Sequence, residues 1–358
     1  MSDRLASAAP AAFFQALDDA YQRAEANCGV ISTRIKIANI AVEQRFAGNA
    51  LAETFTRATH HLVSEAAHEA DLTVCIWDSA STGVALPPIP WEYFPDIYTR
   101  SYGAQGEIDG YNDQRFGLLH SQWFNQIQML DRQRKRAIIW VEDASKLPYW
   151  EVAFPLRTIL HLWSRDLPLQ LLHAAAVGDA QGGVLIVGRS GSGKSTTALA
   201  CLDSDLLYAG DDYVGVTLAP EAYIHCLYGV AKLVNDNLSR FAELEPYLIN
   251  VNRADDEKAI IDLQQVVPQR LTSGFRLRAI LMPCITGGRD TRLSPGKRGA
   301  ALLALAPTTL FQTIAAKPTS FTKLARLVRE VPVYSLNVGS DLRQIPRVIA
   351  EFLKRETA

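Results

Sequence analysis

The sequence predicts an α/β phosphate-loop domain preceded by an α+β region, with residues 1–150 forming the first domain and 151–358 the second. Three observations predict it. From about residue 169, apolar strand-like runs alternate with a helix-like run, the grammar of βα units. Within that region Gly188-Arg189-Ser190-Gly191-Ser192-Gly193-Lys194-Ser195 matches GxxxxGK[ST] at every position. The first 150 residues instead mix helical spacing with short alternating runs and carry no motif tied to chemistry.

The elements follow in order. Residues 12–27 place Phe13, Phe14, Leu17 and Tyr21 at helical spacing. "ISTRIKIANIAVEQRF" alternates imperfectly and reads as strand, "LAETFTRATHHLVSEAAHEA" as helix, and "DLTVCIWDS" as a compact strand. The proline-rich "GVALPPIPWEYFPD" reads as an irregular loop, and "RFGLLH" and "RAIIWVED" as further strands. "EVAFPLRTILHLWSRDL" reads as a linking helix with Pro155 near its start. In the second domain "LQLLHAAAVG" and "GGVLIVG" are apolar strands, "SGKSTTALACL" a helix, "LLYAGDDYVGV" a strand around two aspartates, and "LRAILMP" a buried strand. "DLRQIPRVIAEFLKRE" closes the chain as an amphipathic helix with Asp341 as its cap.

Composition narrows the function. Of 358 residues 48% are hydrophobic and 21% charged, the balance of a soluble globular protein. Lys+Arg 36 against Asp+Glu 38 leaves no basic surplus for nucleic acid. The five cysteines are widely scattered with no CxxC pair, which argues for reduced thiols rather than a disulfide framework. The opening residues lack a signal-peptide core and no apolar run is long enough to span a membrane. A cytoplasmic protein with no membrane and no nucleic-acid partner is expected. His60, His61 and His68 read as structural or surface residues of the helix, and the tryptophans as core.

The glycines of the GxxxxGKS run let successive backbone N–H groups curl inward around a phosphate. The following helix adds the positive end of its dipole. Gly188 to Gly193 together with Thr196 would cradle ATP, Lys194 would reach the β- and γ-phosphates, and Ser195 would help hold Mg2+. Asp211 and Asp212 follow Lys194 by 17 and 18 residues, so one short helix and strand return them beside the loop. Neighbouring side chains on a strand point to opposite faces, which suggests two jobs: one carboxylate for a proton, the other for metal. His173 lies on the strand before the phosphate loop, among small residues that permit close approach.

"LLHAAAV", "VGRSGSGKST" and "AGDDYV" together resemble the C-terminal catalytic domain of HPr kinase/phosphorylase, over roughly residues 169–240. The resemblance implies a fold related to phosphoenolpyruvate carboxykinase. It implies Asp211 as general base toward a serine hydroxyl and His173 close to it. Lys194 and Ser195 would then hold phosphate and Mg2+, with Asp212 supporting as the metal residue. Members of that family assemble as hexamers, so a homo-oligomer is implied too. The sequence departs from the family in two places. Gly210 replaces an alanine, and "IHCLYGVAKLVNDNL" lacks an acid–arginine pattern that the enzyme carries after its aspartates. "YGVAKL" looks instead like diverged HPr-kinase-like proteins, some found with lasso-peptide clusters, that phosphorylate a peptide serine. HPr as acceptor and the reverse activity are therefore left open. Lys232 and Lys258 are candidate phosphate contacts, with surface lysines as the plain alternative.

The expected activity is ATP-dependent phosphorylation of a hydroxyl, with a serine of a peptide or protein as the leading acceptor. A small-molecule hydroxyl acceptor stays open, as does a nucleotide-binding regulatory module that hydrolyses ATP slowly.

Overall fold

The computed structural model describes residues 8–65, 69–91, 105–312 and 317–356. His68 and part of the proline-rich loop lie outside the described residues. The chain divides into two compact units, one of Met1–Arg57 with Val63–Trp163, the other of Ala58–Leu62 with Ser164–Ala358. The sequence reading put the division at 150/151. Both units are mixed α/β, with several sheets between them.

The first unit opens on a helix, Ala8–Cys28, one stripe of which carries Phe13, Phe14, Leu17, Tyr21 and Ala24 into the core. Each large apolar side chain so buried contributes about 1.5–3 kcal/mol. The helix stops at Gly29, whose φ of +74° reverses the chain. Strands β1 (Val30–Ile37) and β2 (Ile40–Ala47) then form a hairpin, where the sequence shows only one continuous alternating run. Ala38 and Asn39 both take positive φ, the requirement of a two-residue turn matched to strand twist. With β3 (Leu72–Asp78), β4 (Phe116–Ser121), β5 (Gln126–Asp131) and β6 (Arg136–Val141) they make a six-stranded sheet in the order β1-β2-β3-β6-β5-β4. Trp77 and Trp140 pack beneath the helix, as expected for core residues, whereas Trp123 is 81% exposed. The expected helix over residues 51–70 shortens to Ala52–Arg57, and His60–Leu62 form a separate single turn. The linking helix is two pieces, Tyr149–Ala153 and Arg157–Ser164, broken where Leu156 takes a φ of +62°.

The second unit is built around β15 (Gly274–Ile285). One half of this strand pairs antiparallel with β12 (Tyr223–Cys226), the other half parallel with β9 (Gly182–Ile186) and β17 (Val333–Val338). β9 is buried throughout, which is why its sequence reads as an unbroken apolar run. Behind it lie β8 (Ala175–Asp179) and β10 (Leu207–Gly210), and at the far end β11 (Val214–Thr217) and β7 (Gln170–Leu172). β16 (Arg292–Pro295) pairs with β17, and β13 (Val230–Leu233) with β14 (Ala259–Asp262) forms a separate two-stranded ribbon. Helix Lys194–Ala200 and the C-terminal helix Gln344–Glu356 cover the core that holds Val184, Ile186, Leu281, Ile345 and Ile349. The C-terminal helix starts after Asp341, whose carboxylate accepts from the Arg343 N–H. Two further helices, Arg298–Gln312 and Lys317–Glu330, precede β17.

Candidate active site

Parallel β9, β15 and β17 end on the same edge, where an open α/β sheet has its natural crevice. The segments leaving those three ends line a cavity of about 1100 Å³: the Ser190–Ser195 stretch, Ile285 with Gly287, and Val338 with Ser340. Leaving β9, the Val187 N–H donates to the Leu281 carbonyl, which ties the start of the loop to β15. Gly191 and Gly193 take φ of +77° and +94°, so the turn needs glycine at both. At Gly188 an added Cβ would sit 2.2 Å from Ser192 Oγ. The Lys194 ammonium folds back onto its own loop and donates to the Gly188 and Arg189 carbonyls at 2.9 and 3.3 Å. Burial presses its pKa below the usual lysine value, and the Lys258 charge adds to that, while Asp212 and Asp211 oppose both.

The acidic pair and the histidine meet through a shared break in two strands. β7 runs into β8 and β10 into β11 with an interruption of a few residues each, at the same level of the sheet. Gly210 lies opposite Ala176 on one side of the break and Val214 opposite Leu172 on the other. His173, which the sequence reading placed within a strand, therefore sits at the break across from Asp211-Asp212-Tyr213. Its backbone N–H donates to Thr309 Oγ1 at 3.2 Å, and its ring meets Tyr213 edge-on with centroids 6.0 Å apart. Gly210 has a φ of +145°, and a Cβ there would lie 2.8 Å from Val214 Cγ1. That is the local reason for glycine where the resembling family has alanine.

Asp211 and Asp212 do point apart, but not by strand alternation. Asp212 takes a φ of +63°, and the two carboxylates find different partners. Asp211 Oδ1 accepts from Ser195 Oγ at 3.1 Å, and its Oδ2 is buried without a hydrogen-bond partner. Burial and the neighbouring Asp212 charge push its carboxyl up to about 7. Asp212 Oδ1 lies 3.3 Å from His173 Nε2, and its Oδ2 lies 2.8 Å from Lys232 Nζ. Burial would raise this carboxyl too, but Lys232 and His173 outweigh it and hold it well below the usual carboxylate range. The sequence expectation paired His173 with Asp211, and this is corrected: the imidazole meets Asp212. The cavity is lined by Asp212, His173 and Tyr213, while Asp211 sits behind them against Ser195.

The structure thus brings together Lys194, Ser195, Thr196, His173 and Asp212 around one cavity. Lys232, for which a surface position was the plain alternative, is buried there in an ion pair. Lys258 lines the same space. Helix Arg298–Gln312, which the sequence reading did not anticipate, supplies Thr308 and Phe311 as a further wall. Its apolar spacing was readable, but Pro307 within it looks like a breaker.

A magnesium ion co-held with a triphosphate fits these residues. Mg2+ commonly takes one or two protein oxygens and completes its shell with phosphate and water. Ser195 Oγ and Asp211 offer those oxygens, and the partnerless Oδ2 is the acceptor such an ion would satisfy. Among the described residues no group of three or more His, Cys, Asp or Glu forms a metal site by itself. None of their helices is long and apolar enough to cross a membrane. All five cysteines are free.

No family model matches the chain, and no curated protein matches it. Among solved structures it is similar to the HPr(Ser) kinase/phosphatase from Coxiella burnetii, at 12% identity and a TM-score of 0.30. That similarity covers 53% of this chain and 99% of the other.

Proposed function

We propose that this chain transfers the terminal phosphoryl group of ATP to an aliphatic hydroxyl, with a serine of a peptide or protein as acceptor. One observation carries the reading: two sequence-adjacent aspartates divide between the loop serine, Ser195, and the open side of the cavity. The Gly188–Ser195 backbone and Lys194 bind the phosphates, Lys194 exchanging its own-loop carbonyls for phosphate oxygens. Ser195 and Asp211 hold Mg2+, which when bound neutralises charge on the phosphates. Asp212 then takes the acceptor side, reversing the two roles that the family resemblance implies.

Phosphoryl transfer asks the protein mainly for positioning and electrostatics, because its transition state is loose. Asp212 orients the acceptor hydroxyl through a carboxylate oxygen, and His173 fixes that carboxylate's direction. As the acceptor oxygen bonds to phosphorus, the bond to the leaving ADP breaks and the hydroxyl proton passes to Asp212. Lys232 and His173 hold the Asp212 pKa well below the ordinary carboxylate value. Asp212 therefore acts first as a fixed anion that orients the hydroxyl, and takes the proton only late, as the O–P bond forms.

Paired substitutions test the division of labour. Asp212→Asn should keep Mg2+-dependent nucleotide binding and lower transfer by roughly 10²–10⁴-fold. Asp211→Asn should lose the Mg2+ dependence of binding. If the two phenotypes exchange places, the roles return to those the resemblance implies. If neither variant changes transfer, the reading fails.

A further inference from the structure

The ribbon β13–β14 has no part in the reading above, yet it delivers two lysines to the same cavity. Lys232 lies opposite Ile260 in the ribbon, and Lys258 stands two residues before Ile260. Lys232 leaves the ribbon itself and Lys258 the residue just before β14, and both line the cavity. Asn250 anchors this geometry, donating to the Lys258 carbonyl at 2.9 Å and accepting from the Ile260 N–H at 2.8 Å.

With Lys194 the cavity gathers three ammonium groups from separate elements, against the carboxylates of Asp211 and Asp212. Lys232 takes Asp212 as its partner, and Lys258 makes no ion pair among the described residues. Lys194 is buried with the Gly188 and Arg189 carbonyls as its hydrogen-bond partners, and a buried ammonium is costly unless an anion compensates it. A ligand bringing several negative charges would complete this arrangement, and the lysine stem has the rotors to change partners.

We propose that the ribbon reads the terminal phosphoryl group: on triphosphate binding Lys232 leaves Asp212 for a γ-phosphate oxygen, with Lys258 beside it. This rests on the phosphotransfer reading and adds a residue to it. Lys232 marks the nucleotide as a triphosphate and at the same moment frees the Asp212 oxygen that faces the acceptor. A diphosphate leaves the Lys232–Asp212 pair closed.

The test is a comparison of ATP and ADP affinities, measured by calorimetry with Mg2+ on the full chain. The wild type should prefer ATP by about tenfold or more, the worth of one charge-assisted contact. Lys232→Met should lose that preference while ADP affinity stays within about twofold, and Lys232→Arg should retain most of it. Because Lys232→Met strands a buried carboxylate, the double variant Lys232→Met/Asp212→Asn repeats the test with both charges removed. A Lys232→Met protein that keeps the wild-type preference, or weakens ATP and ADP equally, overturns the inference and leaves phosphotransfer standing. A wild type that binds neither nucleotide overturns both together.

Discussion

Replacing Asp211 by asparagine should make the metal-free protein more stable at alkaline pH while removing an oxygen of the proposed Mg2+ site. Asp211 is 1% exposed, and burial beside Asp212 pushes its carboxyl from 3.8 up to about 7. A raised carboxyl has a definite sign. Below the unfolded value both states are protonated and nothing changes. Between the two values the unfolded chain releases the proton that the folded state retains, so stability falls as pH rises. Above the folded value the cost is complete, on the order of 4 kcal/mol at about 1.4 kcal/mol per unit. More than half of that is lost between pH 5 and pH 8. Asp212 does not tilt this window, because its depressed carboxyl is ionised in both states above the unfolded value. Denaturant unfolding in EDTA at pH 5 and pH 8 reads the effect. The wild type should lose more stability than Asp211→Asn across that interval, by on the order of 2–3 kcal/mol. Parallel pH dependences in the two proteins would refute the placing of Asp211 as a buried, metal-poised carboxyl.

Other predictions follow from the same geometry. Lys194→Met removes the ammonium that the loop now holds, and should weaken ATP binding roughly 10- to 100-fold by calorimetry, the worth of a charge-assisted hydrogen bond. Gly210→Ala places a Cβ 2.8 Å from Val214 Cγ1 at a φ of +145°, and should cost about 1–3 kcal/mol in denaturant unfolding. His173→Ala should leave Mg2+–ATP affinity unchanged, since the imidazole meets Asp212 and not Ser195, while slowing transfer by about tenfold or more in a single-turnover assay.

Local signals made the centre of the site legible. The GxxxxGKS loop needs only its glycines and the elements on either side, all contiguous in sequence, and β9 and helix Lys194–Ala200 flank it as expected. The first helix was equally plain, because Phe13, Phe14, Leu17 and Tyr21 repeat on one stripe. What could not be read is the partnership of the two aspartates. Strand alternation predicts that they diverge, but the left-handed turn at Asp212 decides which one meets His173, and nothing in "AGDDYV" announces a φ of +63°. The runs "LQLLHAAAV" and "LLYAGDDYVGV" look continuous because apolar residues lie on both sides of each break, so the switch of strands stayed hidden. Lys232 was a candidate phosphate contact in the sequence, but its burial and its ion pair with Asp212 were hidden for a related reason: β13 is four residues long, too short for a period, and its partner strand β14 lies far along the chain.

The fate of the nucleotide's γ-phosphate decides the central claim. With γ-labelled ATP, Mg2+ and fractionated lysate, phosphotransfer predicts label on a hydroxyl-bearing acceptor, abolished by Lys194→Met. Label recovered only as inorganic phosphate, or left on ATP in every fraction, would contradict it.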